Sequence, residues 1–323
     1  MSAAYTPYDG GQHEDQANPA GDAAARLERD ATPGGAVGSD GAYGGGGGSR
    51  SGGAVQPAEA SRVASAATAL RLIGEAVAEH QPSHIFGMFS GGHDSLTATA
   101  LAAKHPAFTA AVHINTGIGI GATREFVRET CRREDWPLIE YQPDGKTYRD
   151  LVIEKGMPSG PKAHNTMFYW LKQRAIRRLV AEHKQQRHDR IMLVTGIRAS
   201  ESERRMTAAL AVPVRRDGAQ LWVNPILDWS ASACGAFMAI ECLKRNPVVD
   251  LLHRSGECLC GALARHSEIT EIEQWYPEAA AEIHGYEELA REHGHPDDIW
   301  AARLHAPRAQ ARLPLCWSCE AAT

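Results

Sequence analysis

Three groups of residues in this chain have types and spacings that chemistry can use. The first is "SGGHDS", residues 90 to 95, which ends an apolar run. Gly91 and Gly92 let the backbone approach an anion closely and adopt positive φ. Ser90 and Ser95 offer hydroxyl donors, and Asp94 could hold a magnesium ion that bridges phosphate oxygens. The second group is "TGIRASESERR", residues 195 to 205, where Arg198 and Arg205 supply guanidinium forks suited to phosphate or sulfate. The third is a set of thiols: "GECLCGA" carries Cys258 and Cys260, and "LCWSCE" carries Cys316 and Cys319. A C-x-C and a C-x-x-C place four thiolates on two short loops, enough for tetrahedral zinc or an iron–sulfur cluster. Spacing alone does not separate those two. Each group also has a plain structural reading: a capped glycine turn, a solvated helix start and packed free thiols.

The elements needed to position these groups are legible as a pattern. "HIFGMF" (84–89) reads as a short buried strand, and the helix "DSLTATALAAKH" leaves the glycine turn that follows it. A strand, a glycine turn and a helix N-terminus present backbone N–H groups at the positive end of a helix dipole, a ready site for phosphate. The loop is not a Walker A sequence, because no lysine follows the glycines. "FTAAVHIN", "PLIEYQ" and "DRIMLVTGI" are further strands, with helices "ATREFVRETCRRED" and "NTMFYWLKQRAIRRLVAEH" between them. Strands alternating with helices imply a parallel sheet covered on both faces, an α/β doubly wound fold. "AVPVRRDGAQLWVNPI" reads as a hairpin turning at Asp217-Gly218. A helix over "EASRVASAATALRLIGEAVAEH" precedes the first strand, with Val63, Ala66, Leu70, Ile73 and Val77 at helical spacing.

Three parts follow. Residues 1–58 form a Gly-rich tail with almost no large apolar side chains, expected to be disordered. Residues 59–250 form the nucleotide-binding domain, and 251–323 a mostly helical, Cys-rich extension that closes the four-cysteine site. Cys131, Cys234 and Cys242 are expected to be packed thiols within helices. No apolar run is long enough to span a bilayer and residues 1–40 hold no signal-peptide core, so the expectation is a cytoplasmic protein with no membrane partner. A formal charge of −5 argues against a protein that coats nucleic acid non-specifically. The helix over 165–183 still concentrates Lys172, Arg174, Arg177 and Arg178, a candidate contact for a nucleic-acid acceptor.

"SGGHDS" resembles the S-G-G-x-D-S signature of the PP-loop ATP pyrophosphatases, and the chain is most similar to their phosphoadenosine phosphosulfate (PAPS) reductase family. The resemblance covers about residues 84–250. It implies an adenine nucleotide, ATP or PAPS, with Mg2+, gripped at its phosphates by Ser90, Gly91, Gly92, Asp94 and Ser95. Asn115, Thr116 and Gly117 in "HINTGIGIG" resemble the family's adenosine-side contact, and Lys172 lies near a basic phosphate ligand. Gly196, Arg198, Glu201, Ser202 and Arg205 match the G-x-R-x-x-E-S-x-x-R stretch that faces the nucleotide. Asp94, Ser95 and Arg198 are the implied catalytic residues. "NPILDWS" resembles the family's P-I-x-D-W-s segment, with Asp228 and Trp229 opening the next helix.

Two departures qualify the resemblance. The chain ends in "CWSCEAAT" where assimilatory reductases carry an E-C-G-L-H tail with the nucleophile, and "PKAHNTMF" replaces the Cys-Cys pair of cluster-bearing reductases. The expected reaction is therefore cleavage of the α–β phosphate bond to activate an acceptor, a nucleic acid among the candidates, for sulfur transfer. A 4Fe-4S cluster is favoured over zinc at the four cysteines. A cysteine desulfurase would suit as sulfur donor, and a homodimer is compatible with the sequence. The rivals are reduction of PAPS to sulfite and a non-catalytic nucleotide-sensing scaffold with structural zinc.

Overall fold

The computed structural model describes residues 57–199, 212–265 and 267–301, with the side chains described from residue 66 onward. The tail expected over 1–58 lies almost wholly outside these residues, as do Glu201, Ser202, Arg205, Cys316 and Cys319.

The sheet is built from β1 (His84–Met88), β2 (Phe108–Ile114), β3 (Leu138–Tyr141), β4 (Ile191–Val194), β5 (Val214–Asp217) and β6 (Gln220–Val223). Its order is β3-β2-β1-β4-β6-β5. All neighbours pair in parallel except the β5–β6 hairpin, which turns at Gly218 with φ of +59°. The alternating pattern thus yields the expected doubly wound sheet. Within the central strands, side chains alternate between two apolar layers, as the two-residue strand period requires. Ile85, Met192 and Val194 enter one core, while Phe86, Ile191 and Leu193 enter the other.

The helices are α1 (Pro57–His80), α2 (His93–Ala103), α3 (Gly121–Arg133), α4 (Tyr148–Lys155), α5 (Gly160–Phe168), α6 (Arg174–His183), α7 (Ala231–Ile240), α8 (Pro247–Leu252), α9 (Glu268–Trp275) and α10 (Pro277–Glu292). A third apolar cluster joins Ile118, Ile120, Tyr148, Leu151 and Leu171 to Leu259, Ile272, Ile283 and Trp300. Residues past 250 therefore share a core with the loop after β2 and with α4, which brings the first two cysteines toward the sheet.

Several local expectations are corrected. Helix α4 was not anticipated from periodicity; its signal is a capping box, with Asp150 N–H donating to Thr147 Oγ1 (3.2 Å) and Thr147 N–H to Asp150 Oδ2 (2.8 Å). The helix expected from 165 starts at Gly160 and contains a π-helical turn, Tyr169–Gln173, in which Lys172 sits. Such turns insert one residue into a helix and recur at functional sites. Asp228 and Trp229 do not open α7: Ser230 is the N-cap and accepts from Ala233 N–H (3.1 Å), while Trp229 packs edge-on against Phe237. Cys131 and Cys234 are buried helical thiols as expected, but Cys242 is exposed beyond the end of α7 with φ of +54°.

Candidate active site

The chain runs outward from β1 to β2 and β3, then returns to place β4 on the other side of β1. Loops leaving the carboxyl ends of β1 and β4 thus diverge, and a doubly wound sheet binds its ligand in that crevice. Ser90, Gly91 and Gly92 occupy the first loop, Gly196 and Arg198 the second.

The first loop is held by its own serines. Ser90 N–H donates to Ser95 Oγ (3.2 Å), the two hydroxyls lie 3.1 Å apart, and Ser95 Oγ–H donates to Gly92 O (2.9 Å). Gly92 is the N-cap of α2, and no side chain caps the first turn, so the positive end of the helix opens on the crevice. Gly91 has φ of +81°, and a Cβ there would lie 2.5 Å from Thr123 Cγ2. Glycine is required at this position on both counts.

Gly196 locks the two loops together. A Cβ on it would come within 2.5 Å of the Asp94 carbonyl and of Ser95 N, backbone against backbone. Two residues on, Arg198 Nε stands 2.9 Å from Asp94 Oδ1. Asp94 also takes a hydrogen bond from the buried Cys234 thiol, whose pKa rises to about 12 through burial first and the neighbouring carboxylate second. The structure therefore brings together Ser90, Gly91, Gly92, Asp94, Ser95, Gly196 and Arg198.

Asn115, Thr116 and Gly117 follow β2 beside this loop. Asn115 Oδ1 accepts from Gly117 N–H (2.9 Å), which fixes the turn at Gly117, where φ is +77°. Thr116 is fully buried: its N–H donates to Glu257 Oε1 (3.0 Å) and its hydroxyl to Glu257 O (2.7 Å). The hydroxyl is thus committed to the chain around 257, while Asn115 is partly exposed and Gly117 exposed.

Cys258 and Cys260 sit on the segment that pairs with this turn. Ile120 N–H donates to Gly256 O (2.9 Å) and Leu259 N–H to Ile118 O (2.9 Å). Trp300 Nε1–H donates to Leu259 O (2.7 Å) and Tyr148 O–H to Cys260 O (3.1 Å). Two aromatic donors thus hold the carbonyls of one short loop. The Cys260 thiol donates to Cys258, which lowers the pKa of Cys258, and the Lys172 ammonium lowers it further; Cys260 is correspondingly raised. A thiolate is the form that ligates metals and attacks electrophiles. Two soft sulfur donors in mutual contact fit half of a zinc or iron–sulfur ligand set.

Residues that the motifs did not single out complete the site. Asn246, fully buried, donates from Nδ2 to Gly91 O (2.8 Å) while its Oδ1 accepts from Val248 N–H (3.0 Å) at the start of α8. His93, the variable residue of the signature, accepts from Asn246 N–H through Nε2 (3.2 Å). Its pKa is lowered by burial and then by Arg245, which keeps that nitrogen an acceptor. The sequence did carry one signal, because Asn-Pro is a helix-start pair. His113 and Glu257 carried none.

The phosphoadenosine phosphosulfate reductase domain matches residues 84–258 of this chain, from the first strand to the first of the paired cysteines. The chain belongs to that family. The PAPS reductase family match covers the loops after β1, β2 and β4 and ends at Cys258, before Cys260. The chain is 26% identical over 194 residues to an uncharacterized protein of Methanocaldococcus jannaschii, covering 59% of this chain and 44% of that protein. It spans less than half the length of the curated relatives it matches, 44% in each case. Among solved structures, it is similar to the PAPS reductase of Candida auris in its phosphate complex, with TM-score 0.43, 15% identity and coverage of 57% of this chain and 84% of that one. It is likewise similar to the U34-tRNA thiolase NcsA of Methanococcus maripaludis with its 4Fe-4S cluster, with TM-score 0.40, 15% identity and coverage of 71% and 78%. Among the described residues, no helix is long and apolar enough to cross a membrane.

Proposed function

We propose that this PAPS reductase-family protein binds ATP, or a related adenine nucleotide, with Mg2+ and cleaves the α–β phosphate bond to activate an acceptor for sulfur transfer. The observation that carries the reading is the meeting, at the crevice after β1 and β4, of an uncapped helix N-terminus and a paired Arg198–Asp94, with the cysteine loop hydrogen-bonded to the turn after β2.

In this reading Ser90, Gly91, Gly92 and Ser95 cradle the phosphates, and Glu201 and Arg205, outside the described residues, are assigned to nucleotide binding by the family resemblance. Asn115 and Gly117 line the adenosine side, with the buried Thr116 holding their turn from behind. Arg198 exchanges Asp94 for the polyphosphate, which releases the carboxylate to hold magnesium. Guanidinium and helix dipole stabilise the charge that develops as an acceptor oxygen attacks the α-phosphorus and pyrophosphate leaves. Lys172 serves the thiol side, keeping Cys258 ionised next to the activated group. Cys258, Cys260, Cys316 and Cys319 would hold a 4Fe-4S cluster, with zinc as the alternative; the cluster would supply a soft iron site able to carry a transferable sulfur. A nucleic acid is the favoured acceptor class, and a cysteine desulfurase the favoured sulfur source.

The test supplies ATP to purified protein. AMP and pyrophosphate are expected, and release of ADP and phosphate would overturn the reading. Iron and zinc counts with an anaerobic absorption spectrum decide the metal. A second reading, reduction of PAPS to sulfite, is favoured by the lowered Cys258 thiol, which suits a nucleophile. Thioredoxin-dependent sulfite formation would establish it.

A further inference from the structure

Beneath the crevice lies a chain of buried polar groups that neither phosphate binding nor thiol chemistry uses directly. His113 and Thr116 are fully buried and Glu257 is 2% exposed. His113 Nδ1–H donates to the carbonyl of Phe89 (2.9 Å), the residue before the phosphate loop. Its Nε2 faces Glu257 Oε2 at 3.2 Å, without hydrogen-bond alignment. Glu257 Oε1 takes the Thr116 N–H, and the Thr116 hydroxyl donates to Glu257 O. Gly119 packs so closely that a Cβ would lie 2.5 Å from the same carbonyl. Glu257 is bonded directly to Cys258. Glu257 thus joins the cysteine loop to the turn at Thr116, and His113 carries that junction on to Phe89 at the foot of the phosphate loop.

A carboxylate is a costly choice for a dry anchor. The cysteine loop already has backbone bonds at Gly256 and Leu259 and aromatic donors at Leu259 and Cys260. Glu257 adds the one connection those bonds lack, a path through His113 to Phe89. The His113–Glu257 contact is also the joint in this path that is close but unaligned, so a small displacement of Phe89 would change it.

We propose that Glu257 is a positioning residue that couples nucleotide occupancy of the phosphate loop to the order of the cysteine loop. This rests on the reading that ATP binds at Ser90–Ser95. When the loop closes on phosphate, Phe89 draws His113 into line with Glu257, and the segment carrying Cys258 and Cys260 is fixed for reaction. Because coupling between two sites is reciprocal, ordering the cysteine loop also favours nucleotide binding.

Hydrogen exchange on the full chain, with and without ATP and magnesium, tests this. In the wild type ATP should slow exchange of the Leu259 and Cys260 amides by about fivefold or more. Glu257→Ala should bind ATP by calorimetry yet lose that slowing. Glu257→Gln keeps an acceptor for Thr116 and a hydrogen-bonding group opposite His113 Nε2, so it should restore the slowing. Should Glu257→Ala fail to fold, His113→Asn is the second variant: it retains a donor for Phe89 O but cannot reach Glu257, and it should also lose the slowing. Slowing that persists in either variant, or is absent from a wild type that binds ATP, would overturn the proposal. No ATP binding by calorimetry would overturn the nucleotide reading itself, and this coupling with it.

Discussion

The phosphate loop and the cysteine loop differ in how far away in the chain their supports lie. Within the phosphate loop the serine hydroxyls meet across five residues, and Gly196 and Asn246 add contacts at Asp94 and Gly91. The cysteine loop bonds the turn after β2 through its backbone, and two aromatic side chains hold its carbonyls, Tyr148 from 112 residues before and Trp300 from 41 residues after. Supports inside one stretch move with the loop they hold. Supports on distant side chains can be changed one anchor at a time.

The most direct way to break the phosphate side is Gly196→Ala. The new methyl would lie 2.4 Å from the Asp94 carbonyl carbon, and backbone on both sides leaves nothing to rotate away. Overpacking of this kind costs about 1–3 kcal/mol, and the displaced Asp94–Ser95 peptide should weaken ATP binding by about tenfold or more. Gly121→Ala is the control. It has nothing within 4 Å of its Cβ position and begins α3, so urea unfolding should show it unchanged or slightly stabilised.

Asn246→Ala comes next. It removes the donor to Gly91 O and the cap on Val248 N–H together, leaving a buried carbonyl without that partner. A loss of about 2 kcal/mol in urea unfolding is expected, with weaker ATP binding from a loosened Gly91. An unchanged ATP affinity would show that the loop stands on its serines alone.

The contrast also explains what was legible in the sequence. Six contiguous residues announced the phosphate loop because its chemistry and its serine supports share one stretch. The sheet was legible because apolar runs between helices admit few arrangements. Asn246 contacts Gly91 across 155 residues and Glu257 contacts Thr116 across 141, and no periodicity encodes such pairings. Cys258 and Cys260 were found by residue type, yet the tryptophan and tyrosine that hold them were indistinguishable from ordinary core aromatics. The π-helical turn was hidden because one inserted residue hardly disturbs a helical pattern.

Trp300→Phe probes the cysteine side. It keeps most of the buried ring and deletes the donor to Leu259 O. The stability loss should be about 1 kcal/mol, since one neutral hydrogen bond is removed. Iron or zinc content per chain should fall more than ATP affinity does. Equal losses of both would mean that the two loops do not respond separately to their anchors.

The smallest expected effect concerns how α9 and α10, which pack beneath the cysteine loop, are tied together. His284 on α10 has Nδ1 3.0 Å from Glu287 Oε2 and Nε2 3.0 Å from Glu273 Oε1 on α9. These carboxylates raise its pKa above the ordinary 6.5, the Glu287 hydrogen bond contributing most. The folded state therefore holds this proton more tightly than the unfolded state. Its stabilisation is fully present below the unfolded value and is lost as pH rises through the folded one. Because His284 and Glu273 are each about half exposed, the contribution is screened and should stay under about 1 kcal/mol. Urea midpoints of wild type and His284→Ala should differ most below the ordinary histidine pKa of 6.5 and converge as the pH rises above the raised folded value. A difference that grows toward alkaline pH would mean that the imidazole ties the two helices as a neutral group.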